Sequence, residues 1–305
     1  KRMEADSNIT LRQLRYFVAA AETGQFSMAA TRTHVSQSAI TNAVLLLEQT
    51  LGTRLFERLP HGVTLTAEGH RFHQHASHIL SALQDAVREP RFQAPQQKGV
   101  LRIAASYTLL GYFLPPLLAR FRMNYPEVQI DLHDMNREGI EQAVLEGRID
   151  MGVVILSNVV ERERFAHHVL VRARRQLWTS ASHPLLEKDS ASLEDIAAYP
   201  YIQLTVDESE ASTGRYWAAR GITPATAFRT SSMEALRGLI AHGFGVSILS
   251  DMVYRPWSLD GKKIEARPVL DVVPPMQVGL IWRPDAPLER PAEAFRQFLI
   301  HTCAS

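Results

Sequence analysis

The chain has 305 residues, 46% hydrophobic and 21% charged, an ordinary balance for a folded protein of two or three compact units. Its 33 Lys+Arg stand against 32 Asp+Glu, so charge alone announces no nucleic-acid partner and the argument must rest on geometry. No apolar run approaches membrane-spanning length and the start, KRMEADSNITLRQ, lacks an apolar signal core, which predicts a cytoplasmic protein without a membrane partner.

Thr10 and Gln13 have capping-box spacing, so a helix is expected from Leu11. Leu11, Leu14, Phe17, Val18 and Ala21 form its buried stripe, and Gly24 ends it. A short second helix follows, capped by Ser27, with Ala29 and Ala30 small enough for another helix to cross close by. Val35 closes the turn and Ser36 caps a third helix, in which Ile40, Val44, Leu47 and Leu51 recur at steps of four, three and four before Gly52. The opposite face at its start carries Ser36, Gln37, Ser38, Thr41 and Asn42. These short groups hold donors and acceptors that suit base edges in the major groove. Strand-like pieces at Arg54–Arg58 and Gly62–Leu65 then flank Leu59-Pro60-His61-Gly62. That hairpin is the right size for a wing, with Arg58 and His61 as phosphate or minor-groove contacts. Capping alone explains any one of these polar residues. The order of short helix, tight turn, polar helix start and basic-tipped hairpin points to DNA binding.

Thr66 caps a long helix expected from Ala67 to about Arg88. Phe72, Ala76, Ile79, Leu80, Leu83 and Val87 share one sector about 100° wide, which a helix this long buries most economically against a second copy. His70, His73, His75 and His78 spread around the other face. They do not converge as metal ligands do, so a solvated polar face is expected there. Arg91–Lys98 breaks the helix at Pro95 and reads as a hinge.

From Val100 strand and helix alternate, which argues for a mostly parallel, helix-covered sheet. The expected strands are Val100–Ala104, Val128–His133, Ile149–Leu156, Gln176–Ser180, Tyr201–Leu204, Thr226–Thr230, Val246–Ser250 and Met276–Trp282. The expected helices are Leu109–Met123, Gly139–Glu146, Leu193–Ala198, Tyr216–Arg220, Met233–His242 and Ala292–His301. Two such halves imply a cleft, with ligand beyond the carboxyl ends of the strands. Ser106, Tyr107, Thr108, Asn136, Thr205, Thr230 and Ser231 stand at those turns, where hydroxyls and free N–H groups suit an anion, and Arg137 is the candidate counter-charge. HGFGVSILS (His242–Ser250) lacks the spacing of a nucleotide loop, and no nucleophile elbow, metal triad or cofactor motif appears. Cys303, the only cysteine, has no second thiol to resolve an oxidised form. An enzyme is therefore not expected, nor is any cofactor or metal.

The stretch LRQLRYFVAAAETGQFSMAATRTHVSQSAITNAVLLLEQTLGTRLFER…GVTLTAEG resembles the winged helix-turn-helix of LysR-type transcriptional regulators. GVLRIAASYTLLGYFLPPLLARFRMNYPEVQIDL and IDMGVVIL resemble that family's effector domain. The resemblance implies an α+β multidomain chain. Its parts are a winged helix-turn-helix (1–66), a dimerising linker helix (67–90), a hinge (91–97) and a two-lobed, periplasmic-binding-protein-like α/β effector domain (98–305). Lobe one would be 98–170 and 264–305, and lobe two 171–263. The implied function is a ligand-responsive DNA-binding regulator, an activator more often than a repressor. It would assemble as a homodimer through the linker helix and further as a homotetramer. Carried over by position, Gln37, Ser38, Thr41 and Asn42 match the recognition helix and Arg58 the wing, beside Ser27, Ser36 and His61 in the DNA-contacting set. Ser106, Thr108, Asn136, Thr205 and Ser231 match the inducer pocket. The chain departs from the family where proline is usual at Ser38, a long polar residue at Asn42 and often a basic one at Leu45. Asn42 could read adenine through its amide instead.

Overall fold

The computed structural model describes residues 9–59, 62–88 and 97–303, and Lys1–Gln93 and Ala94–Ser305 form separate compact units. In the first unit, helix α1 (Leu11–Thr23) starts on a complete capping box. The Thr10 hydroxyl accepts from the Gln13 amide at 3.2 Å, and the Gln13 side chain accepts from the Thr10 amide at 2.7 Å. Helix α2 (Phe26–Thr33) does not use Ser27 as its cap. Phe26 is already helical because its ring packs edge-on against Phe56 at 5.5 Å, so Gln25 takes the cap position without a side-chain bond. Helix α3 (Gln37–Leu51) is capped by Ser36, whose Oγ accepts from the Ala39 amide at 3.2 Å. Ile40, Val44 and Leu47 are buried, whereas Leu11 and Leu51 lie past the reach of the core and are exposed.

Strands β1 (Phe56–Leu59) and β2 (Gly62–Leu65) pair antiparallel. The hairpin starts two residues later than expected because Glu48 of α3 holds the approach: its Oε1 accepts from the Leu55 and Phe56 amides at 2.7 and 3.1 Å. Helix α4 (Ala67–Arg88) begins as expected on Thr66, whose hydroxyl accepts from the Gly69 amide at 2.9 Å. Its apolar stripe divides. Phe72, Ala76 and Leu80 pack into the core of this unit, while Ile79 and Val87 remain exposed. His73 departs from the expected solvated face. It packs against Phe17 at 6.3 Å with Nε2 unpartnered, and burial lowers its pKa against the opposing pull of Glu22. The hinge expected at 91–97 falls, but for Gln97, outside the described residues.

The second unit opens with β3 (Gly99–Ala105), α5 (Tyr107–Tyr112), α6 (Leu114–Asn124), β4 (Val128–Asp134), α7 (Arg137–Leu145), β5 (Met151–Ile155) and β6 (Ala166–Ala173). The single helix expected over Leu109–Met123 is broken at Phe113. Pro115 and Pro116 cannot donate to the carbonyls of Gly111 and Tyr112. The chain then builds β7 (Arg175–Ser180), α8 (Leu193–Ala197), β8 (Tyr201–Leu204), α9 (Ser209–Ala218), β9 (Thr226–Thr230), α10 (Met233–Ala241), β10 (Ser247–Ser250) and β11 (Ile264–Pro268). It returns with β12 (Met276–Trp282) and α11 (Arg290–Cys303).

Lobe one is a sheet of order β4-β3-β5-β12-β6, parallel through β4, β3 and β5 and antiparallel where β12 enters. Lobe two is less parallel than expected. β10 and β11 flank β7 antiparallel, and β8 pairs parallel with β9 and bridges to Val246. β6 and β11 are strands that the sequence pattern did not announce. They move the crossings from 171 and 264 to Arg174 and beyond Pro268, because Ala173 still pairs with β12 and Pro268 still pairs with β7. No helix among the described residues is long and apolar enough to cross a membrane.

A Cβ at Gly69 would overlap the Leu55 carbonyl oxygen. Gly69→Ala is expected to cost about 1–3 kcal/mol in denaturant unfolding of the first unit. Burial depresses the folded-state pKa of His73, so the unfolded chain takes up the proton first. The stability this contributes is present above the ordinary 6.5 and is lost as pH falls from there towards the folded value. Amide exchange of α1 compared at about pH 5 and about pH 7.5 should show this loss, and His73→Gln should flatten it.

Candidate nucleic-acid interface and inter-lobe cavity

With Ile40, Val44 and Leu47 turned into the core, the first turns of α3 present Ser36, Gln37, Ser38 and Asn42 exposed and Thr41 half-exposed. An open groove of about 610 Å³ runs between the starts of α2 and α3 and the wing. It is lined by Gln25, Phe26, Ser27, Gln37, Thr41, Arg58, Gly62 and Val63. Four of the predicted DNA-contacting residues, Ser27, Gln37, Thr41 and Arg58, thus share one concave surface. Ser36, Ser38 and Asn42 stand on the same helix outside that lining, and His61 lies outside the described residues. The Thr41 hydroxyl donates back to the Gln37 carbonyl at 3.0 Å, which leaves its lone pairs to accept. The wing is held to the turn after α1, where the Val63 amide donates to the Gly24 carbonyl at 2.8 Å. Gly62 sits at φ 152° beside that carbonyl, where any Cβ would overlap the oxygen.

In the second unit a cavity of about 50 Å³ lies where the lobes meet, room for roughly three to five waters. Lobe one contributes Thr108, Ile155, Asn158 and Met276. Lobe two contributes Arg175, Gln203, Asp207, Ser212, Thr213 and Ser247 among others. Arg175 is the one cation among these lining residues. Its guanidinium lies 5.9 Å from the centroid of the Tyr216 ring, and no carboxylate pairs with it among the described residues. Asn158 is buried and fully engaged. Its Nδ2 donates to the Asp207 carbonyl at 2.8 Å and to Glu208 at 3.5 Å, and its Oδ1 accepts from the Ser212 hydroxyl at 2.9 Å.

Of the eight predicted effector residues, only Thr108 lines this cavity. Ser106 is buried at the start of α5 and makes no side-chain cap bond, and Tyr107 is 41% exposed. Asn136 uses its Oδ1 to cap α7, accepting from the Gly139 amide at 2.9 Å. Arg137 is already met by carboxylates, Glu141 at 2.7 Å, Glu208 at 3.0 Å and Glu138 at 3.4 Å. Its charge is therefore not available as expected. Thr205 is exposed, and its amide donates to the Thr230 carbonyl at 3.0 Å. The Thr230 hydroxyl accepts from the Ser232 amide at 3.1 Å, Ser231 is exposed, and Ser232 is the cap of α10. Sequence reasoning missed Asn158, Arg175 and Asp207. The run Arg172-Ala173-Arg174-Arg175, three arginines with no adjacent acid, was the signal that could have marked the second.

A model of the helix-turn-helix of bacterial regulatory proteins of the lysR family matches residues 11–70, and a model of the LysR substrate binding domain matches residues 94–304. The HTH-type transcriptional regulator YnfL of Escherichia coli strain K12 is 32% identical over 251 residues, covering 79% of this chain and 82% of YnfL. The hydrogen peroxide-inducible genes activator of Escherichia coli O6:H1 is 28% identical over 295 residues, covering 94% of this chain and 95% of the activator. The crystal structure of PA01 protein, a putative LysR family transcriptional regulator from Pseudomonas aeruginosa, superposes with a TM-score of 0.64. The two are 27% identical, with 98% of this chain and 100% of that one covered. An amino-terminal helix-turn-helix and a two-lobed carboxy-terminal unit, each matched along its length, identify the chain as a member of the LysR-type transcriptional regulators, DNA-binding proteins with an effector-binding domain.

Proposed function

We propose that this regulator answers to a small anionic metabolite, a short-chain carboxylate by size, bound in the cavity between the lobes. The observation that carries this reading is Arg175, a half-buried cation lining that cavity without a carboxylate partner among the described residues. A guanidinium out of bulk water favours an anion there, and Thr108, Thr213 and Ser247 offer hydroxyls beside it. Effector binding couples to DNA only if the ligand prefers one assembly over another, by about 1–3 kcal/mol in typical coupled systems.

The DNA contacts are Ser36, Gln37, Ser38, Thr41 and Asn42 on α3, with Ser27 and Arg58 beside them. Copies of the chain pair through the exposed end of the α4 stripe, Ile79 and Val87, and two such pairs assemble into a tetramer. The unit boundaries then follow as a DNA-binding module to Thr66, the linker helix from Ala67, a hinge near 91–97 and the effector domain beyond. Activation is the proposed output, as in the similar peroxide-inducible activator. Peroxide itself is a poor fit. The only thiol, Cys303, is half-buried, and burial pushes it up to about 11, so it holds little thiolate. A chromosomal partner puts the protein at work in the cytoplasm.

In fluorescence anisotropy with the chain's own upstream intergenic DNA, Asn42→Ala is expected to lose about 1–3 kcal/mol of specific binding while leaving non-specific duplex unchanged. Arg58→Ala should weaken both and lower the salt slope by about one. Equal losses on specific and non-specific DNA for Asn42→Ala would end its base-reading role. Thermal-shift screening with two- to four-carbon carboxylates and benzoate should raise the melting temperature of the full chain for at least one acid but not for its neutral amide. Arg175→Met should abolish that rise, and a rise that survives it would remove Arg175 from the site.

A further inference from the structure

Lobe two grips helix α5 of lobe one at both ends. At its start, the Thr108 amide donates to Asp207 Oδ2 at 2.7 Å. The next residue, Glu208, accepts from Arg137 Nε at 3.0 Å, and Asn158 reaches both the Asp207 carbonyl and Glu208. Two consecutive acidic residues of lobe two therefore hold three polar groups of lobe one. At the other end, Tyr112 lies against Arg237 and Arg255, whose guanidinium carbons are 5.2 and 5.5 Å from its ring centroid. Its hydroxyl accepts from Arg237 Nη1 at 3.0 Å. The two ends differ in chemistry. The Tyr112 end is a cation–π stack on a buried arginine. The Asp207 end is a carboxylate placed on an N–H donor that faces the cavity, where a ligand anion would compete for it.

Asp207 and Glu208 both hold φ 52°, a region that L residues with side chains rarely enter. Such backbone persists where surrounding contacts over-determine it. Here those contacts include the ones that cross between the lobes, beside the Ser212 amide on the Glu208 carbonyl at the start of α9.

We propose that Asp207 and Glu208 form an internal acidic latch that keeps the lobes closed in the effector-free protein, with Tyr112 between two arginines as the fixed point. The cavity stays small because the chain supplies its own carboxylate, and an anion larger than the cavity enters by displacing Asp207 from Thr108. The latch rests on the reading of this cavity as the effector site, but its test needs no effector.

Glycine is favoured at φ 52°, so on backbone grounds alone Asp207→Gly should tighten the loop. The latch makes the opposite demand. In hydrogen–deuterium exchange of the full chain without ligand, Asp207→Gly should speed exchange across residues 107–113 about tenfold. Asp207→Asn, which keeps the shape and tolerates the left-handed backbone, should give a smaller increase. Amides of α1 and β7 should exchange as in the parent. Unchanged exchange over 107–113 in Asp207→Gly would overturn the latch. Should that variant loosen everywhere, Asp207→Asn decides, and parent-like exchange in it would overturn the latch equally. A null result here leaves the Arg175 reading standing, whereas a silent acid screen leaves the inter-lobe contact standing and removes the anion as what opens it.

Discussion

The ring of Phe17 is the constraint around which the DNA-reading module is built. It is fully buried, with Phe56 of the wing at 5.3 Å and Phe72 of the linker helix at 5.0 Å, so three elements meet on one side chain. Ile40, Val44 and Leu47 enter the same core. Once that stripe points inward, helical periodicity leaves Ser38 and Asn42 only the outward direction, while Gln37 is exposed because it opens the helix, before the core begins. Glu48 ties the far end of the same helix to the wing by accepting two backbone amides. Without that carboxylate the amides of two buried residues, Leu55 and Phe56, would lose the acceptor they share, and an unmet buried donor costs about 1–3 kcal/mol. Recognition helix and wing are thus held as one piece, which is the condition for placing several contacts on a duplex at once.

In the effector unit the same logic separates groups that are engaged from groups that are available. A side-chain oxygen at a helix start that accepts from the backbone is a cap, and its geometry is fixed by that bond. Asn136 and Ser232 are used in this way, and Thr230 accepts from the Ser232 amide just before α10. Thr108 is not a cap, since its side chain lies in the first turn of α5, and it is the predicted residue that reaches the cavity. Arg137 and Arg175 make the same contrast among cations. One is surrounded by three carboxylates, and the other faces the cavity with an aromatic ring beside it.

Local signals carried the amino-terminal module almost to the residue. The capping box at Thr10, the Ser36 cap, the stripe of α3 and the Thr66 start of α4 are each written within a few positions of where they act. The effector unit was legible where strands are apolar throughout, as in β5, and where boundaries are marked by caps. It was not legible at β6, where His167 and His168 interrupt the apolar run, or at β11, where Glu265 and Arg267 resemble exposed loop; the strand character of both comes from partners far along the chain. The start of α9 was hidden for a related reason. Glu208 occupies its cap position in a left-handed conformation with no capping bond, so no local pattern announces it. The cavity residues were missed because the cavity is a tertiary product. Asn158 meets Asp207 across about fifty positions, and Thr108 meets Asp207 across about a hundred.

Charge sets how much of the work each half can do. The groove beside the recognition helix holds one cation, Arg58, and the whole chain carries a net charge of +1. Non-specific affinity grows with the number of phosphates neutralised, so a surface this sparsely charged gains little from the backbone alone. On the proposed reading its binding comes from short polar groups against base edges and from pairing two modules on one site. A pair of weak contacts is sensitive to the geometry that joins them, because the second contact forms only if spacing allows it. In such a protein a ligand needs only a modest preference between two arrangements to change occupancy. The effector unit offers a matching scale of adjustment, since at one edge its lobes are joined by a few hydrogen bonds to Asp207 and Glu208.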